Sequence, residues 1–204
     1  MSERRERPIL FSGPMVRAIL EGRKTQTRRV VKPQPNEYSA HCGWVGGPSL
    51  PEGEGACKCK PIRYPYGVPG DRLWVKEAIA LDFKDGEYAQ SSYVADGDLT
   101  KADAWPWKLK TLPAMFCPRG LSRLTLEVKA VRVERLQEIS QADAQEEGMR
   151  GPLIDIELDR IVNQVGVSPR EAYGRLWDSI NAKRGHGRET NPWVWVVEFV
   201  RVNP

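Results

Sequence analysis

The segment NPWVWVVEFVRV, residues 191–202, constrains the fold most. Trp193, Trp195, Val197 and Phe199 alternate onto one face of a strand, while Val194, Val196 and Val200 occupy the other. A strand that is apolar on both faces has to be covered on both, so it is predicted to be central in a sheet or enclosed in a barrel. A second long strand is read in SRLTLEVKAVRVERL. Leu124, Leu126 and Val128 share its apolar face, which Val131 and Val133 continue after a change of phase at Ala130. A phase change inside one strand predicts a bulge.

The N-terminal part supplies a different pattern. Met15, Val16, Ile19 and Leu20 form a one-sided apolar stripe at helical period between Pro14 and Glu21, and Gly22 is a C-terminal stop. From Thr25 to Val31 the chain reads as a strand with Thr25, Thr27 and Arg29 on one face and Gln26, Arg28 and Val30 on the other. Lys24 sits at the junction. Two further helix starts are legible: Ser140 with Asp143, leading to a short helix that ends before Gly148, and Ser168-Pro169 with Glu171, leading into EAYGRLWDSIN. Leu73 to Ala80 and Tyr88 to Ala95 are predicted strands. The stretches near 36–70 and 82–112 lack sustained periodicity and read as loop insertions. Few helices, several non-consecutive strands and long loops predict an α+β fold with a small β-barrel core, and the length of 204 residues favours one domain.

Charge is uneven. Residues 1–32 hold nine Lys/Arg against three Asp/Glu, a net of +6, which leaves 22 against 24, a net of −2, for the remainder of the 31 and 27 in the chain. Such a local field attracts phosphate and polyanions. No apolar run approaches the ~18 residues of a membrane span, and Met1–Pro8 has no apolar signal region. The expectation is a cytoplasmic protein without a membrane partner. Four cysteines are few for this length, so reduced thiols are expected rather than a disulfide scaffold.

The pattern Gly22-x-Lys24-x-x-Thr27-x-Arg29 after an amphipathic helix resembles the signature of the ASCH domain, a small PUA-like barrel. The segments RPILFSGPMVRAILEGRKTQTRRVVKPQP, PGDRLWVKE, SRLTLEVKAVRVERLQEIS and NPWVWVVEF, in that order, are similar to phage and prophage proteins of that superfamily. The resemblance implies one PUA-like domain over residues 1–204, with a few peripheral helices. The common signature has glutamate where this chain has Thr27. Threonine there is shared with ASCH amidohydrolases that deacetylate N(4)-acetylcytidine, whose lysine matches Lys24 and whose catalytic glutamate matches Glu147 in AQEEGM.

Amide hydrolysis needs a nucleophile, a base, a group to hold the oxyanion and an acid for the leaving amine. On this resemblance Lys24 activates Thr27 or a water, and Glu147 donates to the departing cytosine amine. Arg29 binds phosphate or supports the site, with Arg28 and Arg23 adding positive charge nearby. The bland alternative is a turn lysine, a strand threonine and a surface glutamate. Trp105 and Trp107 are the candidates for stacking on a base. Lys183, Arg184 and Arg188, among glycines, could clamp a nucleic-acid backbone, or belong to a flexible connection. His41, Cys42, Cys57 and Cys59 have spacing that departs from paired zinc knuckles, so neither metal nor another cofactor is expected. The implied partner is a modified nucleoside or RNA. The enzyme reading is an N(4)-acylcytidine amidohydrolase. Its alternatives are a non-catalytic RNA-binding module and a phage accessory protein with a vestigial pocket.

Overall fold

The doubly apolar strand is central. In the computed structural model Trp193–Val202 pairs antiparallel with Thr125–Arg135 on one side and with Gln26–Val30 on the other. The chain runs β1 (Glu6–Leu10), α1 (Gly13–Leu20), β2 (Gln26–Val30), β3 (Glu37–Ser39), β4 (Gly43–Val45), β5 (Arg72–Lys76), β6 (Ile79–Lys84), β7 (Glu87–Tyr93), β8 (Thr111–Leu112), β9 (Thr125–Arg135), α2 (Gln141–Glu146), α3 (Pro169–Asn181) and β10 (Trp193–Val202). The structure describes residues 5–35, 37–39, 43–45, 62, 64–84, 87–100, 107–149 and 167–202, with backbone alone for 37–39, 43–45, 82–84 and 87–89.

The fold is α+β. The main sheet has the order β1-β5-β9-β10-β2, accompanied by the hairpin β3-β4 and a three-stranded sheet β7-β6-β8. Among the described residues no backbone ladder closes the main sheet into a barrel. Its two edge strands nevertheless meet, because Arg29 Nη2 on β2 donates to the Leu10 carbonyl on β1 at 2.7 Å. The bulge lies in β9: Ala130 opposes Glu198 and Val128 opposes Phe199, leaving Lys129 as the extra residue.

The two faces of β10 serve two cores. Val197 and Phe199 pack with Ile9, Phe11, Val16 and Ile19 of the β1–α1 segment and with the inward residues of β5 and β9. Val194 and Val196 pack under α3, against Ala172, Tyr173, Leu176 and Trp177. Each buried aliphatic or aromatic side chain contributes about 1.5–3 kcal/mol, so covering both faces fixes the strand's position. Val200, expected to share the second face, is 42 % exposed. It follows the bulge and lies outside the group packed under α3.

Helix boundaries follow their caps. Ser168 Oγ accepts from the Glu171 amide ahead of α3, and Ser140 and Asp143 form a reciprocal capping box at α2. Strand β1 has no counterpart among the predicted elements, and the sheet β6–β8 stands largely where a loop insertion with one strand near Tyr88 to Ala95 is expected. That small sheet has its own core of Ile79, Tyr93, Leu112 and Cys117. Among the described residues no helix is long and apolar enough to cross a membrane.

Candidate active site

Gly22, at φ +70°, ends α1 and lets the amides of Arg23 and Lys24 both donate to the Ala18 carbonyl. This reversal delivers Lys24 to the C-terminal end of α2. There the backbone forms a β-bridge between Lys24 and Glu147, and the Thr25 amide donates to the Glu146 carbonyl at 2.8 Å. Two segments 123 residues apart are thus joined through main chain before any side chain is considered.

The side chains complete the junction. Lys24 Nζ donates to the Glu147 carboxylate at 2.7 Å and to the Glu147 carbonyl at 2.9 Å, and both residues are buried. Arg28 Nη1 reaches the other Glu147 oxygen at 3.1 Å, while Nε and Nη2 bind Glu134 at 2.9 and 2.6 Å. Gln26 Nε2 ties β2 to α2 by donating to the Asp143 carbonyl at 2.9 Å and the Asp143 carboxylate at 3.0 Å. A buried charge is tolerable only when paired and hydrogen-bonded, and Glu147 holds two cations. Burial pushes the Lys24 amine below its ordinary value. The Glu147 carboxylate opposes that shift, and the positive charges of Arg29 and Arg28 add to it. Burial also pushes the Tyr173 hydroxyl well up, reinforced by Glu147; its ring lies 5.9 Å beneath the Arg28 guanidinium.

A cavity of about 530 Å³ opens over this cluster. Glu147, Thr27, Arg28 and Arg29 line it; Lys24 stands behind Glu147 and does not. Thr27 opposes Val197, whose side chain packs in the first core, whereas Arg28 opposes Val196 of the second. Thr27 and Arg28, the residue that holds Glu147, therefore lie on opposite faces of β2, and both line the cavity. Aromatic lining comes from Tyr66 and Trp195, which share an aromatic group with Tyr64, and from Tyr173 and Trp177 on α3.

The structure separates the remaining sequence candidates. Arg23 is bound to Glu21 at 2.5 Å and to the Gly148 carbonyl at 3.0 Å, and is outside the cavity lining. Trp107 packs beside the core of the β6–β8 sheet, away from the cavity; Trp105 lies outside the described residues. Arg184 lines the cavity, Lys183 is exposed next to it, and Arg188 turns to the other side of α3 to pair with Glu171 at 2.6 Å. His41, Cys42, Cys57 and Cys59 lie outside the described residues. Glu134, Tyr66, Tyr173, Trp177 and Lys32 are further residues of the site that no motif marked, and Asp143 was legible only as a helix cap. Of the others, only the α3 pair carried a signal, its i, i+4 spacing, and that spacing reads equally well as core.

No protein-family model matches the chain, and no curated protein matches it. A solved structure with a similar arrangement is that of a protein from Enterococcus faecalis V583, of the family DUF984. It is 10% identical, with a TM-score of 0.40, over 99% of this chain and 82% of that one.

Proposed function

We propose that the protein is an amidohydrolase of ASCH type that removes an acyl group from N(4)-acylated cytosine, and that the main sheet belongs to a PUA-like barrel. The barrel is supported by the meeting of edge strands β1 and β2 through Arg29 and Leu10. The activity is supported above all by one observation: a buried, hydrogen-bonded Lys24–Glu147 pair lies at a cavity that Thr27 also lines.

The chemistry divides over these groups. Lys24 and Glu147 act as one acid–base unit, with Glu147 its cavity-facing end and Lys24 its lowered-pKa reservoir. Thr27 Oγ1 attacks the acyl carbonyl and its proton passes to the pair. The proton is returned to the 4-amino nitrogen as the C–N bond breaks, and water then releases the acid from Thr27. Arg29, two residues from Thr27 on the same face of β2 and also lining the cavity, is the residue we assign to the oxyanion. The role assigned to Lys24 thus shifts from direct base to the group behind Glu147.

The test is incubation with N(4)-acetylcytidine, following release of cytidine by its ultraviolet shift and of acetate by an enzymatic assay. Thr27→Ala is expected to slow turnover by roughly two orders of magnitude or more. Inactivity of wild type across several acyl groups would end the enzyme reading in favour of a binding module. Activity surviving in Thr27→Ala would make water the nucleophile.

A further inference from the structure

The ionisable residues lining the cavity do not balance. Arg28, Arg29, Lys32 and Arg184 face one carboxylate, Glu147, four cations against one anion. Glu147 is already engaged by Lys24 and Arg28, and Arg28 is further neutralised by Glu134 behind it. The surplus therefore rests on Arg29, Lys32 and Arg184. Among the described residues none of these three has an ion-pair partner; Arg29 makes one hydrogen bond, to the Leu10 carbonyl. Lys32 and Arg184 are exposed at the cavity, on the chain just beyond β2 and just beyond α3.

A neutral nucleoside would leave this surplus uncompensated. On the amidohydrolase reading given above, on which the inference rests for its cytosine base, we propose that the ligand is a phosphorylated mononucleotide. Its base lies against the aromatic wall of Tyr66 and Trp195 and its phosphate is held by Lys32 and Arg184. A guanidinium and an ammonium converging on one anion supply charge-assisted hydrogen bonds that a hydroxyl cannot replace. The volume of about 530 Å³ suits a single small molecule. A polynucleotide strand needs a run of free cations leading away from the site. Several described arginines outside the cavity are instead already committed: Arg23 to Glu21, Arg188 to Glu171, and Arg132 to Asp143, Glu134 and Glu198.

The experiment is calorimetric binding of cytidine, cytidine 5′-monophosphate and an unphosphorylated single-stranded oligonucleotide of about eight residues to the purified full chain. The monophosphate is expected to bind about tenfold or more tighter than cytidine. Inorganic phosphate and added salt should erode the advantage, and the Lys32→Ala/Arg184→Ala double variant should bring the ratio of the two affinities close to one. Both positions are exposed, so the fold should survive, and phosphate competition on wild type gives an answer independent of the variant. Equal binding of nucleoside and nucleotide, no binding of either, or a ratio unchanged in the double variant overturns the proposal. An oligonucleotide binding tighter than the monophosphate overturns it in favour of an RNA strand. A nucleotide preference that depends on Lys32 and Arg184 without any deacylation would leave this inference standing while the hydrolase reading fails. Deacylation indifferent to the phosphate would do the reverse.

Discussion

Lys24 donates from one ammonium to both the carboxylate and the main-chain carbonyl of Glu147, at 2.7 and 2.9 Å, with both residues buried. The bond therefore links charge to backbone position: moving Glu147 requires breaking the β-bridge as well as the ion pair.

Removing one partner of such a pair should cost far more than removing both. Lys24→Met leaves the Glu147 carboxylate with Arg28 alone and is expected to destabilise by up to about 3–5 kcal/mol, the upper figure being that for a buried charge with no partner left. Adding Glu147→Gln to Lys24→Met should restore a substantial part of that loss. Urea unfolding of the two single variants and the double variant supplies the coupling. Strictly additive losses would mean that the pair is not a unit.

The pH dependence of hydrolysis follows from the lowered Lys24 pKa. If turnover needs the neutral amine, kcat/KM rises with pH through Lys24's depressed pKa, and the rising limb lies below the ordinary lysine value of 10.5. Arg29 is one of the charges that lowers Lys24. Arg29→Gln should therefore raise the pKa and move the limb to higher pH, in addition to any loss of rate. A limb that stays in place in Arg29→Gln would detach the titrating group from Lys24. The same sign applies to stability. Lys24's contribution is present above its unfolded pKa and declines as pH falls through the lower folded value.

Much of the frame was legible because it rests on local rules. The two apolar faces of Trp193–Val202 implied cover on both sides, and the phase change at Ala130 located the bulge to within a residue of Lys129. Gly22 and the capping residue Ser140 marked the turns that bring Lys24 and Glu147 together, and Ser168 marked the start of α3. What escaped was set by partners distant in sequence. β1 pairs in parallel with β5, 66 positions away, and nothing in the Glu6–Leu10 segment announces that partner. Tyr66 closes one wall of the cavity from an aperiodic stretch, where no spacing rule distinguishes a packed tyrosine from a loop residue. That Thr27 and Arg28, on opposite faces of β2, both line the cavity could not be read from alternation either, since alternation assigns faces but not which of them share a cavity.

The cap of α2 offers a separate test, because it fixes the helix whose end carries Glu147. Ser140 Oγ accepts from the Asp143 amide at 3.0 Å, and the Asp143 carboxylate in turn accepts from the Ser140 amide at 3.2 Å. Burial raises the Asp143 pKa, but the bonds from Ser140 and Gln26 and the charge of Arg28 outweigh it, holding the carboxyl well below its usual range. Its stabilising contribution is therefore complete above an unfolded pKa near 3.8 and is lost as pH falls through the lower folded value. Ser140→Ala should cost about 1 kcal/mol at neutral pH, and Asp143→Asn should flatten the acid limb of the stability curve. Acid unfolding profiles identical for wild type and Asp143→Asn would show that protonation of Asp143 is not linked to folding.

Gly148 gives the sharpest link between backbone and chemistry. It follows Glu147 directly, at φ +100°, and a Cβ placed there would stand 3.1 Å from the Ala18 Cβ and 3.5 Å from the Lys24 Cβ. A left-handed conformation costs an L-residue roughly 1–2 kcal/mol, and here the added methyl also presses on the two segments that the Lys24–Glu147 bridge joins. Shifting this backbone away from the Ala18 and Lys24 Cβ atoms would draw the adjacent Glu147 off Lys24. Gly148→Ala is therefore expected to lower stability by about 1–3 kcal/mol and to reduce kcat more than stability alone explains at temperatures where the variant is fully folded. Gly185 is the control: it too has a positive φ, +77°, but a Cβ there meets nothing within 4 Å and it lies outside the cavity lining. Gly185→Ala should lose stability from backbone strain while kcat stays near wild type. Equal effects of the two substitutions on kcat would show that the close packing of Gly148 against Ala18 and Lys24 has no bearing on the reaction.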